Sequence, residues 1–451
     1  MIDRHVADLR FGSAPLPAAA IGYYPAGDAQ AIMLPTIASP ALRPVPGVQY
    51  TGSYAPGERF VVRVPTAWNG SLIVAGTPGT RCEFTSDLIW GEFALARGYA
   101  YAASNKGLVQ SATIDPAADV VDRRTAYPVP FPAGGLLDLG LTMRLGLLSP
   151  ERVPIDRWNA DYAELVTFAR DLLARERRPP AHVYAVGASN GGAQVRTLLE
   201  RQPELVDGGV DWAAVYWTPE RNVLDDLPVF LREMPAYAAS GFRDTAAVER
   251  LVAHGFPPDV VQADPAHPSL YAEFYSNAPP FYADLTLFAY ALLIDPLADA
   301  WFDLPPCSTD PQAGPHRPAD CRGRGLALPA NRASYVPSPA ARAAIASFAH
   351  TGAIGKPLIS IAGTLDAFIT PERNALAYAR AVERAGCSEL HELFLVAGGT
   401  HVDTFAAFGY GIQAQAPFAW AAFERLVDVV ERGAKGGGGR VRTVSEPAQI
   451  A

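Results

Sequence analysis

Two patterns of apolar residues alternate along the chain. Short runs in which nearly every position is apolar recur between longer stretches whose apolar residues return every three or four positions. FVVRVP (60–65), SLIVAG (71–76), YAYAAS (99–104), HVYAVG (182–187), VDWAAVYW (210–217), KPLISIAG (356–363) and HELFLVAG (391–398) are of the first kind and predict strands buried on both faces. YAELVTFARDLLARER (162–177), GAQVRTLLERQ (192–202), PERNALAYARAVERAG (371–386) and FAWAAFERLVDVVERG (418–433) are of the second kind and predict amphipathic helices. Buried strands alternating with helices specify an α/β fold, a mostly parallel sheet covered by helices on both faces.

The alternation fails once. From 218 to 352 no strand pattern occurs, only helical and Pro-rich stretches with many aromatics, among them Tyr271, Phe274, Phe288, Tyr290 and Trp301. This stretch reads as a helical cap (lid) inserted between two strands of a core that spans 55–217 and 353–433. Residues 1–54, rich in Pro, Ala and Gly, read as an extension that packs on the core, either wrapping its surface or forming a small edge hairpin. The Gly-rich 434–451 reads as a flexible tail.

Composition changes this picture little. Apolar residues make up 49% and charged residues 18% of the 451, as expected of a globular chain with a sizeable core. The net charge of −9, without basic clusters, argues against nucleic acid as a partner. No apolar run is long enough to span a bilayer. The N-terminus lacks a basic segment followed by an apolar stretch, so a cytoplasmic location is expected, or a secreted or periplasmic one if a leader has been removed. Of four cysteines (Cys82, Cys307, Cys321 and Cys387), two bracket the loop PPCSTDPQAGPHRPADC. A disulfide between Cys307 and Cys321 fits an oxidising compartment, but free thiols are the default expectation. With His316 these two offer three soft ligands and no fourth, so no metal site is expected.

The strand HVYAVG runs into ASNGG, which sets Ser189 in a Gly-x-Ser-x-Gly pattern between a strand and a helix. A tight strand-to-helix turn there lifts the hydroxyl above the sheet edge, and the crowding calls for glycine two residues before and two after. A serine becomes a nucleophile only with a base, and the base needs an orienting acid. Asp366 follows KPLISIAG and His401 follows HELFLVAG, so serine, acid and histidine all fall on loops at one edge of the parallel sheet, in that chain order. Asp403 is the rival acid, but it lies after the histidine and only two residues away. An oxyanion hole requires two backbone N–H groups. Asn190 is expected to give one, and Thr77, directly after SLIVAG, the other, with Gly79 or Thr80 in reserve because Pro78 has no N–H. Asn105, Lys106, Trp217 and Trp301 are candidates for contact with substrate.

FALARGYAYAASNKG, GASNGG and the large insertion ahead of GTLDAFITP together resemble the α/β-hydrolase superfamily, and within it the tannase and feruloyl esterase group and the 3-hydroxybutyrate oligomer hydrolases. The resemblance implies an α/β-hydrolase fold with a large helical cap, a serine esterase working through an acyl-enzyme, and no cofactor. The substrate it implies is a small-molecule or oligomeric ester, bulky or aromatic. Tannase-type enzymes carry paired cysteines just before the nucleophile and just after the catalytic histidine. Here those places hold Ala188 and Val402, and the insertion has no Asp-x-Asp-x-Asp calcium loop, so the implication narrows to an esterase with a large cap. Two rivals stand beside it. One is a hydrolase of amide or β-diketone carbon–carbon bonds using the same triad, and the other a catalytically silent binding protein that keeps the fold.

Overall fold

The computed structural model describes residues 2–9, 44–55, 58–79, 83, 86–106, 154–265, 268–274, 282–302, 331–401, 403, 406, 409–434 and 436–450. Cys82, Cys307, His316 and Cys321, and with them the disulfide and metal questions, lie outside these residues, as do Thr80 and Val402. The described Cys387 is a free thiol.

Among the described residues ten strands form one sheet: β1 (Ile2–Val6), β2 (Gly47–Ala55), β3 (Glu58–Pro65), β4 (Leu72–Gly76), β5 (Ala100–Ser104), β6 (Val183–Ala188), β7 (Gly208–Trp212), β8 (Leu358–Gly363), β9 (His391–Val396) and β10 (Arg440–Val444). Their order across the sheet is β1-β2-β3-β5-β4-β6-β7-β8-β9-β10. Pairing is antiparallel from β1 to β5 and parallel from β5 to β10. The chain reverses its direction of travel across the sheet at β4, and there two neighbouring strands send their loops apart and leave a crevice at their carboxyl ends.

Eight helices of nine residues or more accompany the sheet among the described residues: α1 (Ile155–Glu176), α2 (Asn190–Arg201), α3 (Val223–Ala239), α4 (Thr245–Ala253), α5 (Tyr282–Ile294), α6 (Pro339–Phe348), α7 (Ala375–Arg384) and α8 (Ala416–Arg432). The side-chain period of two divides each central strand between two cores. Leu72 and Val74 of β4 meet Leu165 and Leu172 of α1 and Val195 and Leu199 of α2. Ile73 and Ala75 share the opposite core with Phe418, Phe423 and Leu426 of α8. Burial on both faces is what makes these strands read as unbroken apolar runs.

Two features depart from the sequence-based expectations, and one settles an open choice. VDWAAVYW is a strand only to Trp212. Ala213 takes a φ of 45°, and Val215 and Trp217 turn away into a core beside the sheet. Of the two courses left open for the residues before the first predicted strand, the chain takes the edge one: β1 and β2 extend the sheet edge as an antiparallel pair. The Gly-rich tail is not a flexible appendage: β10 pairs in parallel with β9, and Val444 and Ile450 are buried. Its signal is short and half polar, and the glycines before it read as a linker although they serve as a turn.

Between β7 and β8 the described chain is helical, and its aromatics have a plain use. Phe230, Tyr237, Tyr271, Phe274 and Phe288 are buried against one another and against Ile345 and Phe348, forming a third core. Trp301 lies 41% exposed, with its ring edge-on to Tyr335.

Candidate active site

The site lies at the carboxyl ends of β4, β6, β8 and β9, and glycines set its spacing. A Cβ built on Gly191 would stand 2.1 Å from the Gly76 carbonyl oxygen and 3.1 Å from the Thr77 nitrogen, and one on Gly187 would stand 2.3 Å from Gly191 backbone. Real Cβ atoms do not approach so closely, so the end of β4, the end of β6 and the first turn of α2 meet only because all three positions are glycine. A second such contact lies across the sheet edge, where a Cβ on Gly363 would come within 2.2 Å of the Gly399 oxygen. That closeness draws the loop after β9 over the end of β8.

Ser189 sits in the turn between β6 and α2 with φ 56° and ψ −119°, a backbone conformation that L-residues rarely adopt and that is of order 1–3 kcal/mol unfavourable. Its N–H donates to Trp212 O at 2.8 Å and its carbonyl accepts from Ala193 N at 3.0 Å, so both strand and helix hold the strained residue. His401 Nε2 lies 3.2 Å from Ser189 Oγ, and His401 Nδ1 lies 2.9 Å from Asp366 Oδ2. A carboxylate only accepts, so the proton resides on Nδ1 and leaves Nε2 a lone pair facing the serine. Asp366 is fully buried, and its other oxygen accepts from the backbone N–H groups of Phe368 and Ile369 at 2.8 and 2.9 Å. The Phe368 ring lies nearly parallel to the imidazole, 5.4 Å from it, and covers its face.

The rival acid has other work. Asp403 is buried and caps the N-terminus of α8, accepting from Gln415 N at 2.7 Å and Ala416 N at 3.1 Å. Burial pushes its carboxyl up to about 7 in spite of these two donors.

Asn190 N is the first backbone donor of α2 and has no carbonyl of the preceding turn to bind. Its side-chain oxygen accepts from Tyr290 OH of α5 at 2.9 Å. Thr77, buried, donates its hydroxyl to Ser104 O at 2.6 Å and so lies along the end of β5, with its nitrogen beside Gly191.

The four residues expected to contact substrate have protein partners of their own. Asn105 is fully buried and continues the β3–β5 ladder, its N–H donating to Arg59 O at 3.0 Å and its side-chain oxygen accepting from Arg59 N at 2.8 Å. Lys106 is equally buried, with a positive φ of 60°. Its ammonium donates to the Gly79 carbonyl and sits 4.2 Å from the centre of the Trp158 ring. Trp217 is buried edge-on against Tyr290 and Phe348 in the core of the insertion, and Trp301 is on the outer surface. A polar residue just past a strand end can face either the solvent crevice or the neighbouring loop, and Asn105 and Lys106 take the second course.

One support escaped the sequence reading. Arg196 of α2 and Asp211 of β7 form a fully buried two-point ion pair at 2.8 and 3.1 Å. Ser360 Oγ also donates to the carboxylate, and Tyr378 stacks under the guanidinium at 4.0 Å. Burial raises the Asp211 carboxyl and the arginine opposes it. Arg196 further donates to Ala214 O, so the pair fastens the elbow helix to the strand next to it. An aspartate in the middle of the apolar run VDWAAV was the available signal.

No protein-family model and no curated protein matches the chain. Among solved structures it is similar to feruloyl esterase B from Aspergillus oryzae (14% identity, TM-score 0.48, 90% of this chain and 85% of that one covered). It is also similar to the rice cell wall degrading esterase LipA from Xanthomonas oryzae (12%, 0.43, 96% and 98%) and to tannin acyl hydrolase from Aspergillus niger (13%, 0.40, 87% and 80%). At identities of 12–14% these are neighbours in structure, and the fold itself, a mostly parallel ten-stranded sheet with helices on both faces, rests on the chain's own strand order.

Proposed function

We propose that the chain is a serine-dependent carboxylic ester hydrolase that acts through an acyl-enzyme on a bulky or aromatic ester or a hydroxyacid oligomer. The observation that carries this reading is the hydrogen-bonded series Ser189–His401–Asp366, at 3.2 and 2.9 Å, with the serine held in a strained turn. Strain that both a strand and a helix hold in place supports a functional reading of this turn.

In this mechanism Ser189 Oγ attacks the ester carbonyl while His401 Nε2 takes the hydroxyl proton. Asp366 fixes the imidazole through Nδ1–H and stabilises its charged form. The N–H groups of Asn190 and Thr77 receive the negative charge that develops on the carbonyl oxygen, where preorganised donors are most effective. His401 then returns the proton to the departing alkoxide as the carbon–oxygen bond breaks, leaving the acyl group on Ser189. Water repeats the sequence, giving its proton to His401, and the carboxylic acid departs with Ser189 restored. No step calls for a cofactor.

The helical segment between β7 and β8 acts here as a cap. Tyr290 from α5 binds Asn190 beside the nucleophile, and Phe274 packs edge-on against Phe368, which covers His401. Aromatic walls from the cap thus approach both the nucleophile and the base, which favours a bulky or aromatic substrate.

A fluorophosphonate probe followed by peptide mapping tests the proposal. Covalent label on Ser189, absent in Ser189→Ala and slowed in His401→Ala, is the expected result, and a folded protein without label overturns it. Turnover across activated esters, amides and β-diketones then fixes the bond, and strong diketone cleavage with weak ester turnover would reject the ester assignment.

A further inference from the structure

The loop after β4 carries Thr77, the proposed second oxyanion donor, and the turn that follows β5 holds it at Thr77 and Gly79. Ser104 O accepts from the Thr77 hydroxyl at 2.6 Å, and Lys106 Nζ donates to Gly79 O. The turn is itself pinned, because Lys106 N donates to Ser104 Oγ at 3.3 Å and Ser104 Oγ donates to the buried Asp161 carboxylate. Farther along, Glu83 forms a buried two-point ion pair with Arg59, at 2.9 and 2.7 Å, and Asn105 pairs with the backbone of that same arginine. The loop therefore rests on a rail formed by the ends of β3 and β5.

Lysine is a costly choice for a fully buried position. Methionine would cover the Trp158 ring with nearly the same shape. The residue also holds a left-handed backbone, which glycine or asparagine would tolerate better. The feature peculiar to lysine is a positive donor on a flexible stem, aimed at a loop carbonyl, and a charged donor makes a stronger and more directional bond than a neutral one. The ring face below it favours the ammonium in that place.

We infer that Lys106 is a positioning residue of the oxyanion hole, holding the 77–79 loop through the Gly79 carbonyl so that Thr77 N–H meets the developing oxyanion. The inference rests on the assignment of Thr77 in the proposed function. Lys106 touches no reacting atom. It acts on the transition state through the loop, and so its removal affects turnover rather than substrate binding.

The test compares wild type, Lys106→Met and Lys106→Arg in three measurements: kcat and KM for a p-nitrophenyl ester, inhibition by an alkyl boronic acid that becomes a tetrahedral anion on the serine, and hydrogen–deuterium exchange of the peptide containing residues 76–79. In Lys106→Met, kcat falls about 10- to 100-fold, somewhat less than for deleting an oxyanion donor outright. KM stays within about twofold, and boronate inhibition weakens by the same factor as kcat. Exchange at 76–79 quickens while α2 is unchanged. Lys106→Arg, which keeps a charged donor, recovers part of the loss. Lys106→Gly, which relieves the left-handed backbone, replaces Lys106→Met if the latter does not fold. Unchanged exchange at 76–79, or a raised KM with unchanged kcat, overturns the inference, the second by making Lys106 a substrate contact. The exchange measurement needs no turnover. If wild type fails to label at Ser189, the proposed function falls, while the exchange data still decide whether Lys106 holds the loop.

Discussion

The carboxyl edge of the sheet and the helical segment between β7 and β8 are both buried and both adjoin the serine, yet they are held together by different means. At the sheet edge, backbone touches backbone: Gly76, Gly187 and Gly191 meet at distances that exclude any side chain, and Gly363 meets Gly399 in the same way. Asp366, Asp403 and Thr77, the polar groups beside them, each have defined partners. The helical segment is held by side chains, aromatic rings in edge and stacked contacts around Phe230, Tyr271 and Phe288. Backbone contacts fix position to a fraction of an ångström and tolerate no added atom. Ring packing supplies stability and yields to changes of similar volume.

The largest effect is expected at Ser189, the proposed nucleophile. Ser189→Ala lowers kcat/KM for an activated ester by about 10⁵-fold or more without loss of thermal stability, since no other group replaces the attacking oxygen. Residual activity within a hundredfold of wild type would remove the serine from the chemistry. Gly191→Ala sharpens the comparison, because one methyl group must displace the Gly76 carbonyl. Activity drops about 10³-fold in protein that remains folded by circular dichroism, an effect on the order of 4 kcal/mol at the transition state. Phe288→Ala does the converse. It removes a fully buried ring from the helical core and lowers unfolding free energy by about 3–5 kcal/mol, while the folded fraction keeps kcat/KM within about tenfold. Should Phe288→Ala inactivate without destabilising, the distinction between the two regions fails.

Arg196→Met lies at the border between them. It leaves the Asp211 carboxylate buried without its guanidinium and costs about 3–5 kcal/mol in denaturant unfolding. Adding Asp211→Leu restores a large part of that loss, because no charge then remains buried. The smallest effect is one of pH. Burial lowers His391 to about 3, whereas the unfolded chain takes up that proton near 6.5. Below pH 6.5 the unfolded state gains a proton that the native state refuses, so stability is complete above that pH and declines as the solution is acidified. His391→Gln, which keeps a polar partner for Ser360, removes up to about 1.4 kcal/mol per pH unit from the acid slope between roughly pH 6 and 4. An unchanged slope would locate the acid sensitivity in other groups.

Much of the edge was legible in the sequence because the same residues act locally and globally. Strands buried on both faces announce themselves as apolar runs, and the loops that follow them inherit a known edge, so Ser189, Asp366 and His401 could be placed in one crevice from order alone. What could not be read depends on which of two neighbours a side chain chooses. Lys106 looks the same in a string of letters whether it points to solvent or to the Gly79 carbonyl. Arg196 and Asp211 sit on different elements and become a pair only after α2 packs on β7. The tail reads as a linker because Arg440, Val441 and Thr443 are exposed and only Val444 is buried, so β10 lacks the apolar run that marks the central strands. Trp217 reads as the end of a strand that stops short of it, because the left-handed Ala213 ends that strand where no residue type forecasts it.

Placing the whole helical segment between β7 and β8 has a consequence for how the molecule assembles itself. The serine leaves the ribosome before that segment, and the aspartate and histidine leave after it. β8 cannot dock beside β7 until all the intervening chain has emerged, and closing so long a connection is entropically slow unless it first becomes compact. The aromatic core between them, drawn largely from residues of the segment itself, would shorten the effective distance that β8 must travel. Folding in that order would bury Trp217 early and bring Asp366 and His401 to Ser189 late, leaving the unpaired edge of β7 as the surface most exposed to misassembly in the meantime.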